Sequence, residues 1–244
     1  MDNHQYQPLE FKDKEPFLRL EKHKNIILTP PRPDDPPAFV PPMNDPRVYE
    51  CLSTPPFPYT LEHGEGFVNG LLKDYKEVCK KLDGAKDIPE SIMVDYCPVR
   101  VIREVQENGS DILIGDIGFF KWRHGELMAF DGTVDWTLKE KNEEEMAKLP
   151  IGDPKIVWAL GDFLMPSHHN RGIMTDVVDT LLKKWGIPRM GIRHLCVDVF
   201  TDNEASAKVF LKNGFKSVGT FPDHVVSRGK KRGLNVLEWK YEDQ

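Results

Sequence analysis

The hydrophobic rhythm changes repeatedly along this chain, and each change predicts an element. From Thr60, apolar residues return at Phe67, Leu71, Leu72, Tyr75 and Val78, a helical spacing that predicts an amphipathic helix over 60–82 with Thr60 as its N-cap. Strand-length apolar runs follow. "PVRVIREVQ" (98–106) and "ILIGDIGFFKW" (112–122) predict a hairpin, with Asn108-Gly109 supplying the turn. "KIVWALGDFLM" (155–165) predicts a strong strand. "GIMTDVVDTLLKKWG" (172–186) predicts a helix with Met174, Val177, Val178, Leu181, Leu182 and Trp185 on one face, stopped by Gly186 and Pro188. A strand at 192–200, a helix at 202–214 closed by Gly214, a strand at 215–221 and a last strand at 234–241 complete the second half. Strands and helices in close alternation predict one α/β domain over 25–241.

Other stretches lack that order. Residues 1–24 are charged and poorly patterned and predict an N-terminal arm, with a short helical piece around "EPFLRLEKH". After a short strand at 25–29, the stretch from Pro30 to Pro58 holds 11 of the chain's 20 prolines. Each proline removes a backbone donor and disfavours helix at the residue before it, so a long helix is excluded there. Interleaved Phe39, Val40, Val48 and Leu52 predict packed structure with a short helix near "DPRVYECL", rather than an exposed polyproline ligand. Residues 123–155 form a polar insertion containing "KNEEEMAKL", whose acidic run predicts a solvated surface helix.

Composition narrows the function classes. A net charge of −6 over 244 residues offers no general attraction to nucleic acid or to an anionic membrane. The four cysteines, Cys51, Cys79, Cys97 and Cys196, are scattered with no CxxC, which disfavours a disulfide framework or a cysteine zinc knuckle. No apolar run reaches the roughly 18 residues of a membrane span and no signal-peptide core is evident, so a cytoplasmic protein is expected, with a nuclear one not excluded.

The most informative polar stretch is "SHHNRGIMTDV" (167–177), between a buried-looking strand and a helix N-terminus. First-turn N–H groups there have no intrahelical partner, and the helix dipole adds partial positive charge. Arg171 adds a full charge, and Gly172 lets backbone approach a ligand without a Cβ. Together they predict a cradle for pyrophosphate, with an ordinary polar loop as the alternative. A zinc site would need two further ligands beyond the adjacent, divergent His168 and His169. Neither GxxxxGK[ST] nor GxGxxG is present.

The wider context resembles a known family. "LGDFLMPSHHNRGIMTDVVDTLL", followed about 30 residues later by "DNEASAKVFLKNGFKSVGTF", resembles the GNAT superfamily of acyl-CoA N-acetyltransferases, in particular its RimJ/RimL-like branch. "ILTPPRPDD", "PFPYTLEHGEGFV" and "LIGDIGF" extend the likeness over most of 25–240. "HHNRGIMT" is similar to the family's Q/R-x-x-G-x-G/A loop, and "NEASAKVFLKNGF" to its N-x-x-S…GF segment. The resemblance implies a mixed, mostly antiparallel α/β sheet flanked by helices, and acetyl-CoA as co-substrate without a metal. It implies that backbone amides of Asn170, Arg171, Gly172, Ile173, Met174 and Thr175 hold pyrophosphate. It further implies that Phe163, Leu164 and Met165 pair with the pantetheine arm through their backbone. Asn203, Ser206 and Phe210 would line the same groove, the alternative being that Asp202 or Asn203 only caps its helix.

Three departures from the family pattern stand out. Asn170 replaces the loop's first glycine, and Phe210 falls where many relatives carry a tyrosine that serves as general acid; "IVWALG" lacks a glutamate base. Acetyl transfer needs a neutral amine, a held oxyanion, which backbone amides near Leu164 and Met165 would supply, and a proton for the thiolate. Asp162 is the only ionisable residue in "IVWALGDFLM" and is the first candidate base; alternatively it sits at a strand end or pairs with an arginine. His168, relaying through water, is the second, and Asp116 and Glu126 follow. "SRGKKRG" (227–233) predicts a hairpin loop, or a charged contact with nucleotide phosphates. The expected protein is an acetyl-CoA-dependent N-acetyltransferase acting on an amine, monomeric or homodimeric. The alternative is a CoA-binding or interaction protein that keeps the fold without turnover.

Overall fold

Antiparallel pairing between neighbours in sequence builds most of the sheet. A computed structural model describes residues 3–122 and 139–242. Its strands are β1 (Glu10–Lys12), β2 (Glu15–Arg19), β3 (Ile26–Thr29), β4 (Val101–Val105), β5 (Asp111–Lys121), β6 (Val157–Leu164), β7 (His194–Phe200), β8 (Lys216–Ser227) and β9 (Lys230–Lys240). They form one nine-stranded sheet in the order β1-β2-β3-β4-β5-β6-β7-β9-β8. Every pair is antiparallel except β6–β7. A parallel pair needs a helical crossover, supplied by α5 (Ile173–Leu181) and α6 (Ile187–Met190), with a π turn at Leu182–Gly186 between them. The expected mixed, mostly antiparallel α/β fold is therefore the one observed.

Helix α3 (Leu61–Gly84) starts as its sequence predicts. Thr60 Oγ1 accepts from the His63 amide, while His63 Nδ1 accepts from the Thr60 amide, which satisfies two orphan donors at once. Its C-terminal half and α5 enclose the main core with Trp158, Leu160 and Leu164 of β6. A smaller core joins α1 (Pro36–Asn44) and the start of α3 to Val101, Leu113 and Phe163.

Four expectations change. "EPFLRLEKH" supplies strand β2, not a helix, because Leu18 and Arg19 pair with Leu28 and Ile27 and bury Phe17, Leu18 and Leu20. The proline-rich stretch holds α1 besides the expected short helix α2 (Pro46–Tyr49). Pro36 and Pro37 open α1 where an N–H would lack a partner anyway, and Phe39, fully buried, anchors it. Gly186 and Pro188 do not end the helical run. Pro188 falls in the first turn of α6, where the π turn has already interrupted the regular hydrogen bonding, and Gly191 at φ +66 is the terminator. Finally, β8 and β9 extend through "SRGKKRG" as far as a tight turn at Arg228-Gly229. The surface helix expected within 123–155 is α4 (Lys139–Lys148); residues 123–138, and with them Glu126, lie outside the described residues.

Candidate active site

Strand β6 pairs with β5 along its whole length but with β7 only at Val157 and Trp158. Beyond Trp158 the two parallel strands part, and one edge of β6 is left facing a gap. Antiparallel alternation decides which backbone groups face it. Trp122 N–H donates to the Val157 carbonyl at one end of the β5–β6 ladder, and Met165 N–H donates to the Ile114 carbonyl at 2.7 Å at the other. In that register Phe163 and Met165 turn their backbones toward β5, whereas Asp162 and Leu164 turn theirs into the gap. This corrects the expectation that Phe163, Leu164 and Met165 all offer backbone to a ligand: Leu164 does, Asp162 replaces its neighbours, and the Met165 amide is already spent. Gly115 makes the close ladder possible, since a Cβ there would stand 2.4 Å from the Phe163 carbonyl oxygen.

The gap opens into a cleft of about 380 Å³. On one side stands the N-terminus of α5. Its N-cap is Gly172, at φ +77, a conformation that disfavours any residue with a Cβ, and no side chain caps the helix. Asn170 also takes the left-handed conformation, at φ +59, as the short polar residue that replaces a glycine there can do. Among the described residues no acceptor takes the amides of Gly172, Ile173, Met174 or Thr175, so they form an open nest of donors at the positive end of a helix dipole. The neighbouring helix α7 (Glu204–Lys212) is different: the Asn203 side chain accepts from the Ser206 amide at 3.2 Å and caps it. Asn203 and Ser206 both border the cleft, which makes capping and lining compatible.

Asp162, Phe163, Leu164, His168, Asn170 and the residues from Gly172 to Thr175 border the same cleft. Met165, Arg171 and Phe210 do not. Phe210 is 2% exposed and packs edge-on against Phe215 at 5.2 Å, because it belongs to the apolar face of α7. Arg171 is exposed and directs its guanidinium to Glu104 at 3.5 Å.

The candidate bases now separate. Asp116 is buried and accepts from Arg100 Nε at 2.9 Å and Nη2 at 2.6 Å, a bidentate pair that occupies its carboxylate. His168 lies with Nε2 3.3 Å from Glu104 and Nδ1 2.9 Å from the Ser167 hydroxyl. Burial would raise the Glu104 carboxyl, yet His168, Gln106 and Arg171 hold it below its ordinary value. Asp162 is half-buried and has neither an arginine nor a hydrogen-bond donor on its carboxylate among the described residues. Burial, with the nearby Asp116 charge adding to it, pushes its pKa up to about 7.

Sequence reasoning passed over three features. His169 Nε2 lies 2.8 Å from the Leu164 carbonyl, so that nitrogen carries the proton and one gap-facing acceptor is taken. Val48, Cys51 and Leu52, from α2 and its exit, form the opposite wall. Arg228 braces the segment behind that wall: it lies over Tyr49 and Phe57 and donates to the Tyr49 and Pro55 carbonyls at 3.1 Å each. Proximity of 173 or more residues in sequence gave no local signal for the last contact.

Comparison with known proteins identifies the family and the fold. A family model described as an acetyltransferase (GNAT) domain matches residues 25–216. The N-acetyltransferase YoaA of Bacillus subtilis (strain 168), itself uncharacterized, is 30% identical over 77 residues, 32% of this chain. The match spans 43% of that relative, less than half its length. Among solved structures, a RimL ribosomal L7/L12 alpha-N-protein acetyltransferase in complex with coenzyme A aligns with TM-score 0.59 at 15% identity, over 92% of this chain and 97% of that one. The ribosomal-protein-S5-alanine acetyltransferase of Vibrio fischeri aligns with TM-score 0.59 at 13% identity, over 93% and 97%. The microcin C7 self-immunity acetyltransferase MccE, in complex with acetyl-CoA and AMP, aligns with TM-score 0.56 at 14% identity, over 89% and 93%.

Proposed function

The chain belongs to the GNAT acetyltransferase family, and from that premise we propose that it transfers an acetyl group from acetyl-CoA to a primary amine by direct attack on the thioester. The observation that carries the proposal is one cleft in which an uncapped helix N-terminus meets the open edge of a strand. The amides from Gly172 to Thr175 suit a pyrophosphate, as helix N-termini do generally. The gap-facing backbone of Asp162 suits the amides of a pantetheine arm, which would then lie along β6 as an added strand, while the Leu164 carbonyl is held by His169 and its N–H stays open toward the thioester. No metal enters this chemistry.

The reaction needs a neutral amine lone pair on the carbonyl carbon. An alkylamine is almost wholly protonated near neutral pH, with a reference pKa of about 10.4, whereas an α-amine near 8 needs less help. Asp162, with its pKa raised to about 7, is poised to take that proton. As nitrogen bonds to carbon, the Leu164 N–H is the donor positioned for the developing oxyanion, and one well-aimed donor contributes a few kcal/mol. The C–S bond then breaks with its electron pair on sulfur, the proton held by Asp162 passes to the thiolate directly or through water, and the second proton of the former ammonium leaves the amide nitrogen to the freed Asp162 carboxylate and on to solvent. Products are the acetamide and the free thiol.

A second reading, a CoA-binding protein without turnover, draws on Phe210: it has no hydroxyl and faces the core, so it cannot act as the acid. One experiment separates the two. Acetyl-CoA incubated with a panel of α-amines, polyamines and amino acids should release free thiol with at least one of them. Tight acetyl-CoA binding with no thiol release across the panel would favour the second reading.

A further inference from the structure

The turn between β2 and β3 lies against the back of the nest. Asp176, in the first turn of α5, is 1% exposed. A buried carboxylate there opposes the field that an anion-binding helix end supplies. The turn answers it. Lys22 N–H and His23 N–H donate to Asp176 Oδ2 at 2.9 and 2.8 Å, and His23 Nδ1 lies 2.8 Å from the same oxygen. His23 Nε2 reaches the Arg171 carbonyl at 3.0 Å, immediately before the N-cap. The His23 ring thus passes beneath the cradle loop, its Cε1 4.0 Å from where a Cβ of Gly172 would stand.

Both ring nitrogens face acceptors. One is the Asp176 carboxylate, which already takes two amide donors from the turn, and the other is the Arg171 carbonyl, so the ring bridges the side chain of the helix to the loop before its N-cap. It meets the buried carboxylate on one side and holds the Arg171 carbonyl on the other. With that carbonyl turned away, the following amides point outward. Thr180 Oγ1, 3.4 Å from the Glu21 amide, and the Lys184–Glu21 ion pair at 2.8 Å fasten the same turn to the helix.

We propose that His23 is a positioning residue for the pyrophosphate cradle, acting through the Arg171 carbonyl and Asp176 without touching the donor. The inference rests on the acetyl-CoA reading above and assigns a role in donor binding to a segment outside the family match, which begins at residue 25. His23 therefore matters for donors that carry a diphosphate and not for those that lack it.

The test measures dissociation constants of acetyl-CoA and of S-acetylpantetheine, which lacks the nucleotide diphosphate, for the full chain and two variants. His23→Asn places an amide where Nδ1 stood and keeps only the Asp176 contact. His23→Gln places one where Nε2 stood and keeps only the Arg171 contact. His23→Asn should weaken acetyl-CoA on the order of 10- to 100-fold, the scale on which displaced binding groups act. His23→Gln should recover about tenfold of that, and S-acetylpantetheine should change less than about twofold in either. The turn lies at the surface, and melting temperatures verify that each variant folds. Acetyl-CoA binding unchanged in both folded variants would overturn the proposal, as would equal losses for the two donors. If the unmodified chain itself shows no preference for acetyl-CoA over S-acetylpantetheine, the cradle assignment fails, and that outcome is distinct from a failure of the clamp alone.

Discussion

Replacing Asp162 by asparagine separates a functional carboxylate from a structural one, because the two roles move stability and turnover in opposite directions. The pKa of Asp162 stands at about 7 against an ordinary 3.8, a displacement of about 3. At about 1.4 kcal/mol for each step of one, full conversion would give about 4 kcal/mol. The residue is only half-buried and borders the open cleft, so about 1–2 kcal/mol is the working figure. Its sign follows from linkage. The folded chain holds the proton more tightly than the unfolded chain, so this favourable contribution is full below pH 4. It declines as the unfolded state ionises and is gone once pH passes about 7. Asparagine carries no such dependence. Asp162→Asn should therefore melt close to wild type at pH 4 and roughly 2–8 °C above it at pH 8, given about 2–4 °C per kcal/mol for a chain of this size. Turnover should fall 10²- to 10⁴-fold with acetyl-CoA affinity nearly intact, the pattern of a lost general base. Melting curves at both pH values and free-thiol release on a good acceptor measure the two effects. A melting difference independent of pH, together with turnover within about threefold of wild type, would refute the reasoning and make Asp162 a structural residue.

Acetyl-CoA should raise the melting temperature of the wild type by mass action. Gly172→Glu should abolish that shift, since it puts a side chain at φ +77 and a negative charge where pyrophosphate would sit; an undiminished shift would refute the cradle. Arg103 is 4% exposed and donates to Asp35 at 2.6 and 2.8 Å and to the Thr29 hydroxyl at 2.7 Å. Arg103→Ala should cost about 3–5 kcal/mol in denaturant unfolding because it strands a buried carboxylate, and a loss below about 1 kcal/mol would contradict this. Purified protein is expected to lack stoichiometric zinc at the adjacent histidines, whose rings serve Glu104 and the Leu164 carbonyl. Elemental analysis finding one zinc per chain, lost in His168→Ala, would overturn that expectation. Zinc lost instead in Cys196→Ala would point to the group of His194, Cys196 and Glu238.

Local order determined much of this protein before any contact across the chain. The helical spacing after Thr60, the Asn108-Gly109 hairpin, and the run of β6 into a polar loop and an apolar-faced helix all depend on neighbours within a few residues. Steric limits and hydrophobic periodicity act at that range. The loop from Asn170 to Thr175 was legible for the same reason, since left-handed backbone and an uncapped helix start are properties of short segments. Tertiary structure decided the rest. A strand reads alike whether or not its second edge is covered, so nothing in "IVWALGDFLM" says that β7 leaves after Trp158 or that Asp162 and Leu164, not Phe163, face the gap. Asp116 and Asp162 are both aspartates in apolar strands; only the position of Arg100, 16 residues before Asp116, makes one an ion pair and leaves the other with a raised pKa. "EPFLRLEKH" became a strand because β3 was there to pair with it. His23 meets Asp176 across 153 residues, a contact set by how the sheet folds back on α5, and hydrogen bonding and charge pairing at that separation leave no periodic trace in the sequence.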